Sequence, residues 1–174
     1  MHEYSPLGLE ITPADRDEVV ADPTRVPTRL QTSERKAELI TSLAASKVGD
    51  RHVALSQLAG WDPDPAVAAA LRPMLWSDDV FEAGQAATGL ARQRDITDLP
   101  GVLDLVYRLS PAGGGNTEAM VVPLVAALEL AALAGPDVVE GVKGRARQWR
   151  GTKRTRRQSW EHVLDSDLDG ILGP

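Results

Sequence analysis

Residues 50–109 read DRHVALSQLAGWDPDPAVAAALRPMLWSDDVFEAGQAATGLARQRDITDLPGVLDLVYRL, and this stretch decides the fold class. Apolar residues recur at helical spacing, and the helical phrases are separated by proline- and aspartate-bearing turns. In Trp61-Asp62-Pro63-Asp64-Pro65, Asp64 is suited to cap a helix. Pro65 suits its first position, where the missing N–H has no partner to lose. Val67, Ala68, Leu71, Met74 and Leu75 form the apolar stripe that follows, and Pro73 is expected to kink or shorten that helix. Ser77-Asp78-Asp79 starts a partner helix carrying Val80, Ala83, Ala86, Ala87 and Leu90.

The phrases recur. Ala54, Leu58 and Ala59 fall on Ala86, Leu90 and Ala91 at an offset of 32, and Val67, Leu71 and Met74 fall on Val102, Val106 and Leu109 at an offset of 35. Pro65, Pro100 and Pro136 open three successive helices, and Val138, Val139 and Val142 continue the pattern. Self-similarity at the length of a helix pair is the signature of an α-solenoid, in which each pair completes its core against its neighbours. The competing reading is a compact helical bundle whose alanine and leucine content imitates a repeat.

Working outward, residues 33–49 continue the helical theme. Ser33 is placed to cap a helix with Leu39, Ile40 and Leu43 on one face. Val48-Gly49-Asp50 is expected to close it and cap a second helix that buries Val53, Ala54, Leu55 and Leu58. Residues 1–32 are expected to form an irregular N-terminal arm punctuated by Pro6, Pro13, Pro23 and Pro27. One short helix fits there, with Thr12 as its cap and Pro13 at its first position. This arm lies over the first repeat or forms a loosely ordered tail. Downstream, Ser110 to Gly115 reads as a flexible joint, and Pro123 is expected to split the next helix. The apolar run 120–135 contains Pro123 and Glu129 and reads as a buried helix, not a membrane span.

Composition agrees with one helical domain. The 174 residues are 43% hydrophobic but only 4% aromatic, which suits closely packed helices of small aliphatic side chains better than a β-sandwich. The absence of cysteine excludes disulfides, thiol catalysis and thiolate metal sites, and fits a cytoplasmic location. The N-terminus shows no basic start followed by an apolar core, so no signal peptide is expected.

The phrasing resembles HEAT-like repeats. The residues that carry the resemblance are Asp62-Pro63-Asp64-Pro65-Ala66-Val67, Leu71 and Leu75, Asp78-Asp79-Val80, Ala86-Ala87 and Leu90-Ala91. It is best over residues 62–91. The third unit departs from the pattern through its glycine insertion, Gly113 to Gly115. The resemblance implies a right-handed superhelix with a concave face lined by second helices that binds other macromolecules, and it implies no fixed chemistry. The expected organisation is therefore all-α: an arm over 1–32, three to four HEAT-like helix pairs over 33–142, a basic C-terminal helix over 143–164 and an acidic tail over 165–174.

Charge singles out one candidate site. The formal net charge is -6, which disfavours indiscriminate nucleic-acid binding. Yet residues 143–157 hold eight cations and no acid. The candidate contact residues are Arg145, Arg147, Trp149, Arg150, Lys153, Arg154, Arg156 and Arg157. Arginine forks suit carboxylates and phosphates, and an indole accepts a cation on its face or stacks on a base. Three readings follow: a solvated polar cap of a repeat stack, a protein-binding helix, or a phosphate-binding helix.

Other motifs carry less. Asp165-Ser166-Asp167-Leu168-Asp169-Gly170 matches the opening of a calcium loop, but the chain reaches Pro174 before the position of the bidentate glutamate, so calcium is not expected. His2, His52 and His162 are far apart and lack a second His or Cys at ligand spacing. His52 reads as a capping or surface residue. Gly113 to Gly115 lacks the Lys and Ser/Thr of a phosphate loop. Trp61 and Trp76 stand at turns, where tryptophans plug gaps; on an exposed rim they become hot-spot candidates. No nucleophile–base pair or ligand cluster is visible, so neither metal nor cofactor is expected. The expected function is a non-enzymatic scaffold or adaptor with a protein partner. Nucleic-acid binding through 143–157 is the first alternative, and a small enzyme without a recognisable motif is the second.

Overall fold

The computed structural model describes residues 3–150 and 168–172. Among these, strand is confined to an antiparallel pair, β1 (Glu3–Tyr4) and β2 (Glu10–Ile11), with Glu3 opposite Ile11 and Tyr4 opposite Glu10. Helix dominates the remainder, and the chain is all-α as its composition and periodicity led us to expect. It divides into two compact units, Met1–Gln93 and Arg94–Pro174.

The first unit opens with a 3-10 turn at Pro13–Asp15 that leads into α1 (Arg16–Ala21). The Asp15 carboxylate accepts hydrogen bonds from Thr12 N–H at 2.6 Å and Thr12 Oγ1 at 2.8 Å, which fastens the turn at its start. Helix α2 (Ser33–Ser42) is capped by Thr32, whose hydroxyl accepts from Arg35 N–H at 3.2 Å. The expected cap, Ser33, is instead the first helical residue, because the extended backbone that a cap requires lies at Thr32. Val48-Gly49-Asp50 does not close α2, which ends at Ser42; it forms the first turn of α3 (Val48–Ala59). Burial in α3 begins at Ala54. Val53 therefore stands exposed, contrary to expectation, while Gln57 joins Ala54, Leu55 and Leu58 inside.

Asp64 caps α4 (Pro65–Leu71) through Ala66 N–H at 2.8 Å and Val67 N–H at 3.2 Å, with Pro65 at the first position. Pro73 acts as expected: the α-helix stops at Leu71 and tightens into a 3-10 turn, Arg72–Trp76. Asp79 then caps α5 (Val80–Gln93), accepting from Phe81 N–H at 2.9 Å and Glu82 N–H at 3.2 Å. Val80, expected in the apolar stripe, is exposed on the opening turn. Ala83, Ala86, Ala87, Leu90 and Ala91 are buried, and Gly89 sets how closely α5 approaches its neighbours. A Cβ there would lie 2.9 Å from Ala59 Cα and 2.6 Å from Leu71 Cδ1.

The segment before α2 is irregular but firmly tied. Val26, fully buried, donates its N–H to Gly60 O at 2.8 Å. Arg25 grips Asp62 through both Nε and Nη2 and reaches Glu18 at 2.7 Å, and Arg92 pairs with Asp22 at 2.8 Å. These contacts tie Asp22, Arg25 and Val26 to Arg92, Asp62 and Gly60.

In the second unit, a 3-10 turn at Ile96–Asp98 leads into α6 (Leu99–Leu109), which buries Leu99, Val102, Leu103, Leu105 and Val106. Residues 110–116 do not form a slack joint. Gly115 N–H and Asn116 N–H donate to Ser110 O and Leu109 O, each at 2.9 Å. A Cβ at Gly113 or Gly115 would come within 2.1 Å of a carbonyl oxygen of α6, so glycine is needed for close wrapping, not mobility. Helix α7 (Thr117–Ala134) runs unbroken through Pro123, contrary to the expected split. The proline ring is buried together with Met120, Leu124, Ala126, Ala127, Leu130 and Ala131, and this packing offsets the one intrahelical bond that proline cannot make. Among the described residues, α7 is the one helix long and apolar enough to cross a membrane by length and composition; here it packs on α6 and α8. Helix α8 (Pro136–Arg150) follows Gly135 directly and buries Val142 and Ala146, whereas Val138 is exposed.

Candidate functional site

The candidate contact residues begin on α8. Its apolar positions, Val142 and Ala146, are spaced i, i+4 and face inward. That register leaves Arg145 and Arg147 exposed and Trp149 and Arg150 half-buried. Trp149 makes an edge-on contact with Tyr107 of α6, with ring centroids 5.6 Å apart and planes inclined by 67°. This aromatic pair braces the end of α8 and leaves Tyr107 substantially exposed. Lys143 forms a within-helix pair with Glu140 at 3.2 Å.

Two of the candidate arginines already hold groups of this chain. Residues 168–172 are helical, and within them Leu168 and Leu172 are buried. Arg150 Nη1 donates to Asp169 Oδ1 at 2.6 Å, and Arg147 Nη2 donates to the carbonyl of Leu172. Lys153, Arg154, Arg156 and Arg157 lie outside the described residues, as do residues 151–164 of the expected basic helix. Asp165 and Asp167 of the calcium-like run also lie outside them; Asp169 is engaged by Arg150.

A second constellation was not foreseen. His52 on α3 meets Asp79 and Glu82 at the start of α5, with its Nε2 3.1 Å from Asp79 Oδ2 and 3.8 Å from Glu82 Oε1. The ligand-type atoms of these three residues lie within 4.8 Å of one another, a set able to contact a divalent cation. Protein donors already serve them. Glu82, nearly fully buried, takes Arg51 Nε at 2.8 Å and Ser77 Oγ at 2.7 Å. Asp79 spends its other oxygen on the α5 cap, and these backbone N–H groups, with His52 behind them, hold its carboxyl below the ordinary range. A cation would have to compete with Arg51, so the arrangement works first as a clasp between α3 and α5. His2 and His162 lie outside the described residues.

The clasp has a partly apolar surround. His52 lies against Phe81, with ring centroids 4.5 Å apart, and Val48, Val53, Trp76, Val80 and Phe81 of the same segments are exposed. The two turn tryptophans thus differ: Trp61 is buried, with its carbonyl held by Gln93 at 3.2 Å, and Trp76 is open to solvent. Spacing within one helix could not reveal the clasp, since its residues stand 27 and 30 positions apart; Asp79 and Glu82 flanking one helix start were the only local sign.

A scan against protein-family models, a search of curated proteins and a search of solved structures each gave no match to this chain.

Proposed function

We propose that this chain is a non-enzymatic interaction module of HEAT-like helix pairs, working in the cytoplasm, and that it takes a protein partner through its basic C-terminal helix. The contact residues are Arg145, Arg147, Trp149 and Arg150, continued by Lys153, Arg154, Arg156 and Arg157. One observation carries this reading: Arg150 and Arg147 of α8 hold a carboxylate and a main-chain carbonyl, groups that a protein surface offers. The exposed Tyr107 ring of the Tyr107–Trp149 pair supplies an aromatic anchor of the kind that concentrates binding energy at interfaces. The helix-pair reading rests on the recurrence of the Ala-Leu-Ala phrase, which is buried on both α3 and α5.

A second reading, nucleic-acid binding through 143–157, is favoured by the density of cations there. Affinity capture from a lysate of the native cell, with and without nuclease, separates the two. The protein-partner reading expects one stoichiometric protein, retained after nuclease and lost on joint Arg145→Glu and Arg157→Glu reversal. Recovery that disappears with nuclease, together with a steep dependence of affinity on salt, replaces it with the second reading.

A further inference from the structure

Residues 168–172 occupy α8 as a ligand would. Leu168 and Leu172 are spaced i, i+4, so they lie on one side of their helical turn, and they are 0% and 1% exposed. Asp169, half-exposed, places its carboxylate on Arg150, whose own side chain is only 11% exposed. The Leu172 carbonyl, at the electronegative end of the turn, meets the Arg147 guanidinium. One carboxylate and one helix-end carbonyl are thus read by one short stretch of α8, and two leucines of the same turn are buried. A nucleic acid would satisfy the arginines but could not replace the leucines.

We propose that this part of α8 is a docking site for an acidic amphipathic helix of a partner protein, carrying leucines four apart and a carboxylate beside the first, and that residues 168–172 fill it as a built-in competitor. The inference rests on the reading of α8 as a protein-binding helix and adds the chemistry of the partner. A tethered competitor acts at an effective concentration of about millimolar, so it masks the site from weak ligands and yields to strong ones. The charge balance fits: 143–157 is wholly basic, whereas the competitor belongs to an acidic run, Asp165-Ser166-Asp167-Leu168-Asp169.

The test uses the full chain and a fluorescent synthetic peptide with the sequence DSDLDGILGP, identical to residues 165–174. Fluorescence anisotropy should show the peptide binding the Leu168→Ala/Leu172→Ala chain at least about tenfold more tightly than the unaltered chain, because the competitor has been weakened. Adding Arg150→Glu to that chain should remove the gain, and a peptide with arginine in place of its third aspartate should restore it. Equal affinity for the opened and unaltered chains overturns the inference, as does binding indifferent to Arg150→Glu. An opened chain that gains affinity for a labelled oligothymidylate but not for the peptide overturns it too. Should circular dichroism show the double variant unfolded, Asp169→Asn takes its place. It removes one ion pair at a half-exposed position and should still raise peptide affinity about threefold; no rise overturns the inference. Peptide failure with one protein still captured from lysate defeats this inference alone. Loss of that capture as well defeats the protein-binding reading beneath it.

Discussion

The two units are both helical and both bury aliphatic side chains, yet the first adds long-range charged contacts to its core. In the unit Met1–Gln93, charged side chains stitch segments that are remote in sequence. Arg25 reaches Asp62 across 37 residues, Arg92 reaches Asp22 across 70, Lys36 reaches Asp64 and Arg51 reaches Glu82. In the unit Arg94–Pro174, α7 packs on α6 and α8 and buries aliphatic side chains, and an ion pair joins Arg150 of α8 to Asp169. The contrast teaches that the absence of apolar periodicity in residues 1–32 is not an absence of order. A segment with few large apolar residues can be held by directed polar contacts, provided that each one is partly shielded from water.

The hardest blow to this contrast falls in the aliphatic unit. Leu130 is fully buried in the middle of α7. Leu130→Ala removes its transfer free energy and leaves a cavity, and should cost about 3 kcal/mol. Amide exchange of α7, followed against denaturant, measures the loss directly. A cost under about 1 kcal/mol would mean that α7 is not the core of its unit.

A smaller loss is expected from the stitching. Arg25→Ala removes a two-pronged pair with Asp62 and the contact with Glu18, and should cost about 1–2 kcal/mol. Acid should reproduce it. Arg92 is the largest influence holding the Asp22 carboxyl at about 2, and Arg25 likewise lowers Asp62. These carboxylates have depressed values in the folded chain. Their contribution is complete above about pH 4, the ordinary unfolded value, and is lost as pH falls toward 2. With Asp22 one-third exposed, solvent screening leaves about 1 kcal/mol at that pair. Amide signals of Val26 and Gly60, recorded from pH 5 down to about pH 2, should report loosening of this segment. In Arg25→Ala the Asp62 part of that pH dependence should be missing. If the dependence persists unchanged, the charges are not what fastens the segment.

Much of the helical scaffold was legible because its signals are local. Asp64 before Pro65, and Pro73 after Leu71, specify a start and a stop through caps and missing N–H groups that need no distant partner. The stripe Val67, Ala68, Leu71, Met74 and Leu75 was legible from its period, and all of it but the half-buried Met74 lies in the core. What escaped the sequence depends on tertiary context. Val53 has the right residue type, but its place on α3 faces solvent; Pro123 breaks a local rule within a buried helix that tolerates the break. The candidate site divides in the same way. The charge density around Arg145 and Arg150 is plain in the sequence, whereas the seating of Leu168 and Leu172 is not, since two leucines in a short acidic run have no period to betray them. The His52–Asp79–Glu82 clasp joins residues on two helices, beyond the reach of any single-helix pattern.

Gly89→Ala sets two local effects against each other. Alanine raises helix propensity by up to about 1 kcal/mol. Its Cβ, however, would lie 2.9 Å from Ala59 Cα, which is backbone and cannot rotate away, as Leu71 Cδ1 could. Overpacking of this kind costs about 1–3 kcal/mol, so the clash prevails and a net loss of about 1 kcal/mol is expected. Denaturant melts of the full chain measure it. A net gain would show that α5 has room to move away from α3.

The smallest effect concerns a stitch that the first unit lacks. Helices α2, α4 and α5 begin at Thr32, Asp64 and Asp79, each of which accepts a backbone hydrogen bond in the opening turn. Helix α3 begins after Lys47, whose backbone is already extended, at φ −82° and ψ 120°, but whose side chain offers no acceptor and places a cation at the positive end of the helix. Lys47→Ser should therefore stabilise the chain by about 0.5 kcal/mol without rearranging any neighbour, since residue 47 is exposed. The gain should be seen as slower amide exchange at Asp50 and Arg51. Lys47→Ala separates the two causes: it removes the cation without supplying an acceptor, and should recover only the electrostatic part. Equal gains from serine and alanine would assign the whole effect to charge at the helix end.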